Sequence, residues 1–339
     1  VTIDVVPLDP RDDEAVTQAY RIRRASASAT VADLPPRGRR EVAAGIRQPM
    51  PGQQVRALLA VVGGTPVGFA TLHLPMLDNT GNAELDIAVH PDHLRRGVGR
   101  ALHGYAVRLA RELGRKRIVG EVVSGLPDGP PRDPAGSAFA AAMGATAVLD
   151  EVRRRLDVGT VDWPALDAAY AAGRRRAAGY STICWAGLTE PGHLADIAYL
   201  NSRLMADAPI GDLVWEQENI DVTRQEAEER LLVDRGRRLY SAAARDDATG
   251  RLVGFTRIMF AATDAWHAYQ QITLVDPEHR GHRLGAAVKI DNLRYTLTHE
   301  PELCVVDTWN ATDNEQMISI NELLGYRPLD IWQAWQLTL

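Results

Sequence analysis

Two stretches of this chain place arginine, histidine and glycine in an order that suits an anion. The first runs from Val89 through Pro91, His93, Arg95, Arg96 and Gly97 to Gly99. The second runs from Val275 through Pro277, His279, Arg280, Gly281, His282 and Arg283 to Gly285. Val, Pro, His and the last Gly recur at one constant offset, 186 residues (275 minus 89). Each copy ends a β-patterned run, turns, and opens an amphipathic helix. Amides at a helix N-terminus have no helical carbonyl to reach, and the positive end of the helix faces the same concavity, so the arrangement cradles a phosphate. Gly97 and Gly99 carry no Cβ and let a ligand approach the backbone closely.

Carboxylates lie next to the first cradle. Glu84 and Asp86 are two residues apart on the run that ends at Val89 and share one face of it. Glu121 lies on the next expected strand, and Asp307 stands at the same 186-residue offset from it (307 minus 121). A carboxylate is the group needed to take a proton from a primary ammonium of pKa about 10, directly or through water. The second-half counterpart of Glu84 is Gln270, which cannot act as a base. Trp215, Glu216 and Glu218 put an aromatic beside two acids, a combination that suits a cationic amine. The pairs His90/His93 and His279/His282 have loose metal spacing without Cys or carboxylate partners, so no metal site is expected.

The elements that must hold these residues read in the same order twice. In the first half, strands are expected at 2–6, 54–62, 66–74, 83–90, 117–123 and 145–158, with helices at 12–27, 39–47, 97–113 and 134–143. Gly63-Gly64 marks a hairpin. The helix at 97–113 shows an apolar stripe of Ala101, Leu102, Tyr105, Ala106, Leu109 and Leu113, which is core packing. In the second half, strands are expected at 180–186, 239–244, 252–260, 268–275, 303–309 and 326–337, with helices at 193–205, 222–235, 284–298 and 314–324. The fold class is therefore α/β with mixed sheets, organised as an N-terminal domain at 1–160, a helical connector at 161–179 and a C-terminal domain at 180–339.

Composition sets wider bounds. A length of 339 residues, 45% hydrophobic and 24% charged, is typical of a globular chain of two domains. No apolar run approaches the roughly 20 residues of a membrane span, and the opening residues do not resemble a signal peptide, so a cytoplasmic location is expected. A net charge of −6 argues against general nucleic-acid binding and favours cationic small partners. The two cysteines, Cys184 and Cys304, sit in apolar strand contexts and are expected to be buried structural thiols.

The repeated turn resembles the acyl-CoA-binding signature of the GNAT N-acetyltransferase superfamily, Arg/Gln-x-x-Gly-x-Gly/Ala after Val-x-Pro and before a helix. Two matched copies inside the same order of elements exclude a nucleotide-binding P-loop, for which no Gly-x-x-x-x-Gly-Lys-Ser/Thr occurs. They also exclude a dinucleotide fingerprint, whose third glycine is missing. Tandem members of the superfamily are known, mycothiol synthase among them. The first copy departs from the signature at Leu94, the second at Arg283. The segment from Trp309 through Asn310 and Asn314 to Met317, closing at Gly325-Tyr326, resembles the superfamily's fifth strand and fourth helix.

The resemblance implies a central sheet with a V-shaped splay for the pantetheine arm of acetyl-CoA or another acyl-CoA. The cofactor would rest on Ile87, Val89, Arg95, Arg96, Gly97, Val98, Gly99 and Arg100 in the first half. In the second it would rest on Val275, Arg280, Gly281, His282, Arg283, Gly285, Asn310 and Asn314. It further implies direct attack of an amine on the thioester, with Glu84, Asp86, Glu121 or Asp307 as base and the wall around Trp215 contacting the amine. The Tyr that protonates the leaving thiolate in many members is replaced by Ala140 and Asn321. The expected function is N-acetyl transfer to a small amine such as an amino sugar, amino acid or polyamine-like metabolite, by a monomer or homodimer. A catalytically degenerate acyl-CoA sensor or scaffold, and a mycothiol-synthase-like enzyme, stand as alternatives.

Overall fold

The computed structural model describes residues 2–339. The chain begins β1 (Asp4–Pro7), α1 (Asp13–Thr30), α2 (Arg39–Arg47), β2 (Gln53–Val62), β3 (Thr65–Pro75), β4 (Asn82–Val89), α3 (Val98–Glu112), β5 (Arg117–Gly125), α4 (Ala135–Ala142) and β6 (Thr146–Asp157). It continues α5 (Trp163–Arg174), β7 (Tyr180–Ala186), α6 (Leu194–Ser202), α7 (Leu204–Asp207), α8 (Val222–Asp234), β8 (Arg238–Asp246), β9 (Leu252–Phe260) and β10 (His267–Val275). It closes with α9 (Leu284–His299), β11 (Val305–Ala311), α10 (Glu315–Leu324) and β12 (Arg327–Thr338). No helix of the described residues is long and apolar enough to cross a membrane.

Two compact units form, and neither is a contiguous half of the chain. The first holds the residues up to Glu151 together with Ile210–Glu216 and Asp330–Leu339; the second holds Val152–Pro209 and Gln217–Leu329. These boundaries differ from the expected 1–160 and 180–339 because one loop segment, Ile210–Glu216, and one late strand belong to the first unit. Residues 330–338 of β12 run antiparallel to β5, from Asp330 opposite Gly125 to Thr338 opposite Arg117. In the first unit the strand order is thus β1-β2-β3-β4-β5, then β12, then the opening residues of β6. The second unit has the closing residues of β6, then β11-β10-β9-β8-β7. Helix α5, expected as a connector, packs within the second unit on α9.

Alternation along the strands assigns the faces of the first unit. Ala57, Leu59, Phe69 and Ala88 point to one side, where Val16, Ala19 and Ile22 of α1 and Val42 and Ile46 of α2 cover them. Leu58, Ala60, Val67 and Ala70 point to the other, under Val98, Leu102 and Ala106 of α3. The α3 stripe is therefore rotated slightly from the expected one: Val98 and Ala110 are buried, whereas Leu113 is exposed. The β2–β3 hairpin turns at Gly63 (φ 56°) and Gly64 (φ 80°), two consecutive left-handed residues that only glycine adopts without strain, with Val62 paired to Thr65. In the second unit a corresponding core gathers Phe260, Ile290, Leu293, Val306, Leu324 and Tyr326.

The cysteines correct one expectation. Cys304 is exposed and Cys184 only half-buried: Cys304 precedes β11 instead of lying in it, and Cys184, within β7, packs at the margin of a core cluster. Burial still pushes the Cys184 thiol up to about 11, which leaves it protonated and unreactive.

Leu102 is fully buried beneath the sheet. Leu102→Ala is expected to destabilise the protein by about 2–5 kcal/mol, measured as a lower urea midpoint at unchanged slope.

Candidate functional site

In the first unit, β4 and β5 are parallel partners over only three positions, Asn82 with Arg117, Ala83 with Ile118 and Glu84 with Val119. Beyond them β4 continues to Val89, bonded to β3 on its other side, and β5 continues to Gly125, bonded to β12. The two strands therefore diverge, and the edge of β4 that carries Ile87 and Val89 has lost its neighbour. Gly120 stands at the point of divergence, where a Cβ would lie 3.2 Å from the Leu85 carbonyl. Such an edge offers backbone donors and acceptors to an extended amide-containing ligand.

The turn after β4 leads to the first cradle. Arg95 (φ 59°) and Gly97 (φ 89°) are both left-handed, and Ala101 is the first residue of α3 whose amide finds a helical carbonyl, that of Gly97. Alternating handedness turns successive amides into one concavity, a nest for an anion. Arg95, Arg96 and Arg100 are exposed around it. Phe139 of α4 lies 3.4 Å from where a Gly99 Cβ would be, so glycine also keeps this wall clear. These residues fit the pyrophosphate and arm of an acyl-CoA.

Four carboxylates share the α1 side of the splay. Glu84 and Asp86 have the same parity on β4 as Ala88, which faces α1. Glu121 and Glu151 join them, because each of Glu151, Asp86 and Glu84 acts on the Glu121 charge. Asp86 is ion-paired with Arg23 of α1. Crowding works to raise its carboxyl, yet Arg23 outweighs this and holds it below the ordinary carboxylate range. Glu121 behaves oppositely. It is open to the cleft, but removal of surrounding water and then the charges of Glu151, Asp86 and Glu84 push it up to about 7, against a smaller opposing pull from Arg37. Of the four expected bases, Glu121 alone combines access with affinity for a proton near neutrality.

The wall around Trp215 belongs to this unit rather than to the second. Val214 donates its amide to Gln336 Oε1 (3.1 Å) and accepts from Asn82 Nδ2 (2.8 Å). Asn79, itself left-handed, grips Glu216 through both backbone groups, at 2.7 and 3.0 Å. Gly211 (φ 54°) is obligatory, since a Cβ would collide with the Val148 carbonyl. Asn82 shares parity with Glu84, and Gln336 pairs with Val119, so the strap crosses the acidic face. Glu218 falls outside it and is ion-paired with Arg224. A buried bridge closes the same unit: Arg132 binds Asp330 of β12 (2.8 Å) and Asp33 of the α1–α2 segment (2.5 Å). Nothing in the local sequence of Asn79, Asn82 or Arg132 signals these contacts, because each partner is distant along the chain.

The second unit repeats the geometry with different chemistry. Strands β10 and β11 pair at His267 with Val305, Ala268 with Val306 and Tyr269 with Asp307, and then diverge. A bulge interrupts β10 between Gln270 and Thr273. Its cradle also has two left-handed residues, Gly281 (φ 86°) and Arg283 (φ 60°). They occupy the places of Arg95 and Gly97, so each copy has glycine at one bend and arginine at the other. The second cradle is engaged by its own unit. Arg280 donates to the Val275 carbonyl (3.1 Å) and pairs with Asp207 (3.2 Å), while His282 Nδ1 lies 2.9 Å from the Arg176 carbonyl. Gly285 is buried under Ile320.

Neither expected position offers a base to this second splay. Gln270 is buried and donates to Thr256 Oγ1 and the Arg257 carbonyl, both at 2.9 Å. Asp307, expected as a base, is fully buried and held by Arg153 (3.2 Å), Arg155 (2.7 Å) and His267 (2.9 Å). Burial opposes its charge, but Arg155, His267 and Arg153 prevail and keep it below the usual range. It is a structural hub and has no lone pair to spare for a substrate proton. Asn314, expected to serve the arm, caps α10 by accepting from the Met317 amide (3.2 Å). Asn310 remains half-buried in the diverging part of β11. Among the described residues, no group of three or more His, Cys, Asp or Glu side chains is placed to hold a metal.

A splayed parallel pair leading into a left-handed turn and a helix N-terminus, present twice, defines a tandem acyltransferase fold. Residues 20–125 match the Acetyltransferase (GNAT) family. A tandem GNAT protein from the clavulanic acid biosynthesis pathway, solved without AcCoA, is 33% identical, with a TM-score of 0.85 over 99% of this chain and 98% of that one. The chain therefore belongs to the GNAT superfamily, whose members typically use acyl-CoA. The fold alone is shared with a GCN5-related N-acetyltransferase from Sphaerobacter thermophilus (12% identity, TM-score 0.64, 99% and 95% covered). It is shared likewise with Saccharomyces cerevisiae N-myristoyltransferase, solved with bound myristoyl-CoA and inhibitors (10% identity, TM-score 0.59, 99% and 80% covered). A search of the curated proteins finds no match.

Arg283 is held left-handed at the N-cap of α9, a conformation that disfavours a residue with a Cβ by roughly 1 kcal/mol. Arg283→Gly is expected to raise stability by about that amount in chemical denaturation, whereas Gly97→Ala, at the equivalent bend, should lower it.

Proposed function

We propose that the protein is an acyl-CoA-dependent N-acyltransferase that moves an acetyl group from acetyl-CoA to the primary amine of a small molecule, with the chemistry in the first unit. The observation that carries this reading is Glu121: an accessible carboxylate with a raised pKa, beside a splay that runs into an open anion nest. Acetyl-CoA supplies an activated carbonyl carbon. The amine nitrogen bonds to that carbon, the carbon–sulfur bond breaks, and the amine's proton goes to Glu121. Ala140 offers no proton to the departing sulfur, but a thiol of pKa about 8.5 leaves readily as thiolate and is reprotonated by water.

The surrounding charge supports a cationic acceptor such as an amino sugar, amino acid or polyamine. Glu84, Glu121 and Glu151 face the cleft, and Asp86 is already neutralised by Arg23. The strap at Ile210–Glu216 supplies one wall. The second unit, with Gln270 buried and Asp307 committed, is assigned to binding without chemistry.

Free-thiol release from acetyl-CoA over a panel of those amines tests the reading. Glu121→Gln should lower kcat/KM by about 10²–10⁴. Because the base works only when deprotonated, the wild-type rate should fall as pH drops through about 7, and that inflection should vanish in the variant. Tight uptake of acetyl-CoA with no amine-dependent thiol release would replace the enzyme by a sensor.

A further inference from the structure

The second unit contains a buried polar chain that the expected chemistry does not use. Lys289 of α9 is 1% exposed, and its ammonium donates to Asn321 Oδ1 at 2.6 Å. Asn321 is fully buried on α10 and donates through Nδ2 to Asn310 Oδ1 at 2.5 Å. Asn310 sits on β11 beyond the last position paired with β10. Among the described residues no carboxylate pairs with Lys289; the ring of Tyr326 lies 5.2 Å from its nitrogen. It is one of only two lysines in the chain, the other being Lys116. Burial pushes its pKa down to about 7, so folding has kept a costly amine in place.

The donor and acceptor inventory gives the chain a direction. An ammonium only donates, so Asn321 must turn its oxygen to Lys289 and its nitrogen away. That nitrogen then needs an acceptor, so Asn310 must turn its own oxygen inward. The Asn310 amide nitrogen is left as a donor at the splay, where among the described residues it has no partner. We propose that Lys289 is a positioning residue which, through Asn321, fixes Asn310 as a hydrogen-bond donor to a carbonyl of the pantetheine arm of an acyl-CoA in the second unit. This rests on the reading of the second unit as an acyl-CoA binder, and it assigns a purpose to a lysine that touches no ligand itself.

The test is calorimetry of the full chain with two probes, acetyl-CoA and adenosine 3′,5′-bisphosphate, the second of which lacks the arm. Lys289→Met should weaken acetyl-CoA binding at the second unit roughly three- to tenfold, the size of one hydrogen bond, and leave the bisphosphate unchanged. Asn310→Ala should do the same without disturbing the core, and the double variant should lose no more than either single one. Asn310→Asp, which presents an acceptor, should be at least as weak as Asn310→Ala. Equal weakening of both probes, additive losses, or an unaffected Asn310→Ala would overturn the proposal. Uptake of acetyl-CoA by the first unit alone would also overturn it while sparing the proposed function. A wild-type chain that takes up no acetyl-CoA at all would instead sink the acyltransferase reading on which it rests.

Discussion

Everything functional in this molecule depends on a hydrogen-bond ladder that stops early. Parallel strands β4 and β5 pair for three residues and then separate, and so do β10 and β11. A strand edge left unpaired inside a sheet is costly, because each free N–H and C=O in a dry site carries a desolvation penalty of about 1–3 kcal/mol. The fold tolerates the gap only because both flanking strands are anchored on their other sides. In the first unit β3 and β12 supply that anchorage. The rigid edges make the gap a preformed slot, and the left-handed turn at its end adds a charge-complementary terminus.

The two copies solve the same geometric problem with exchanged residues. Each turn needs two left-handed positions, and each spends one glycine and one arginine on them. The glycine comes second in the first copy and first in the other. What differs is the surroundings: three exposed arginines stand around the first nest, whereas Arg280 and His282 of the second are bonded to their own unit. The two copies share a backbone and differ in what their side chains hold.

Much of this was legible in the residues. The offset between the two turns, the Gly63-Gly64 hairpin and the acidic strand at Glu84 and Asp86 depend on local spacing, and local spacing is what a sequence displays. Long-range partnership is not. Alternating apolar residues in β12 show that it is a strand, but not that Asp330 lies opposite Gly125. The same limit hid Arg23 from Asp86 and transferred the Trp215 strap to the first unit. Glu121 and Asp307 hold equivalent places in the repeat, yet one meets like charges and the other meets Arg153, Arg155 and His267. Their opposite proton affinities come entirely from neighbours remote in the chain. Lys289 is conspicuous in the sequence only as one of two lysines among 38 basic residues, which reads as coding bias and points to no partner.

The placement of β12 also constrains how the molecule is made. Arg132 and Asp33 are synthesised early, but the buried second counter-ion of Arg132, Asp330, and the strand that covers β5 emerge only 198 residues after Arg132. Until then the nascent first unit has an exposed β5 flank, and the Arg132 guanidinium has Asp33 alone as its carboxylate partner. It is a platform awaiting its last strand, vulnerable to edge-to-edge association. Maturation of the cleft is thereby tied to the emergence of β12, so polypeptides that stop short of it would be poor candidates for partial activity.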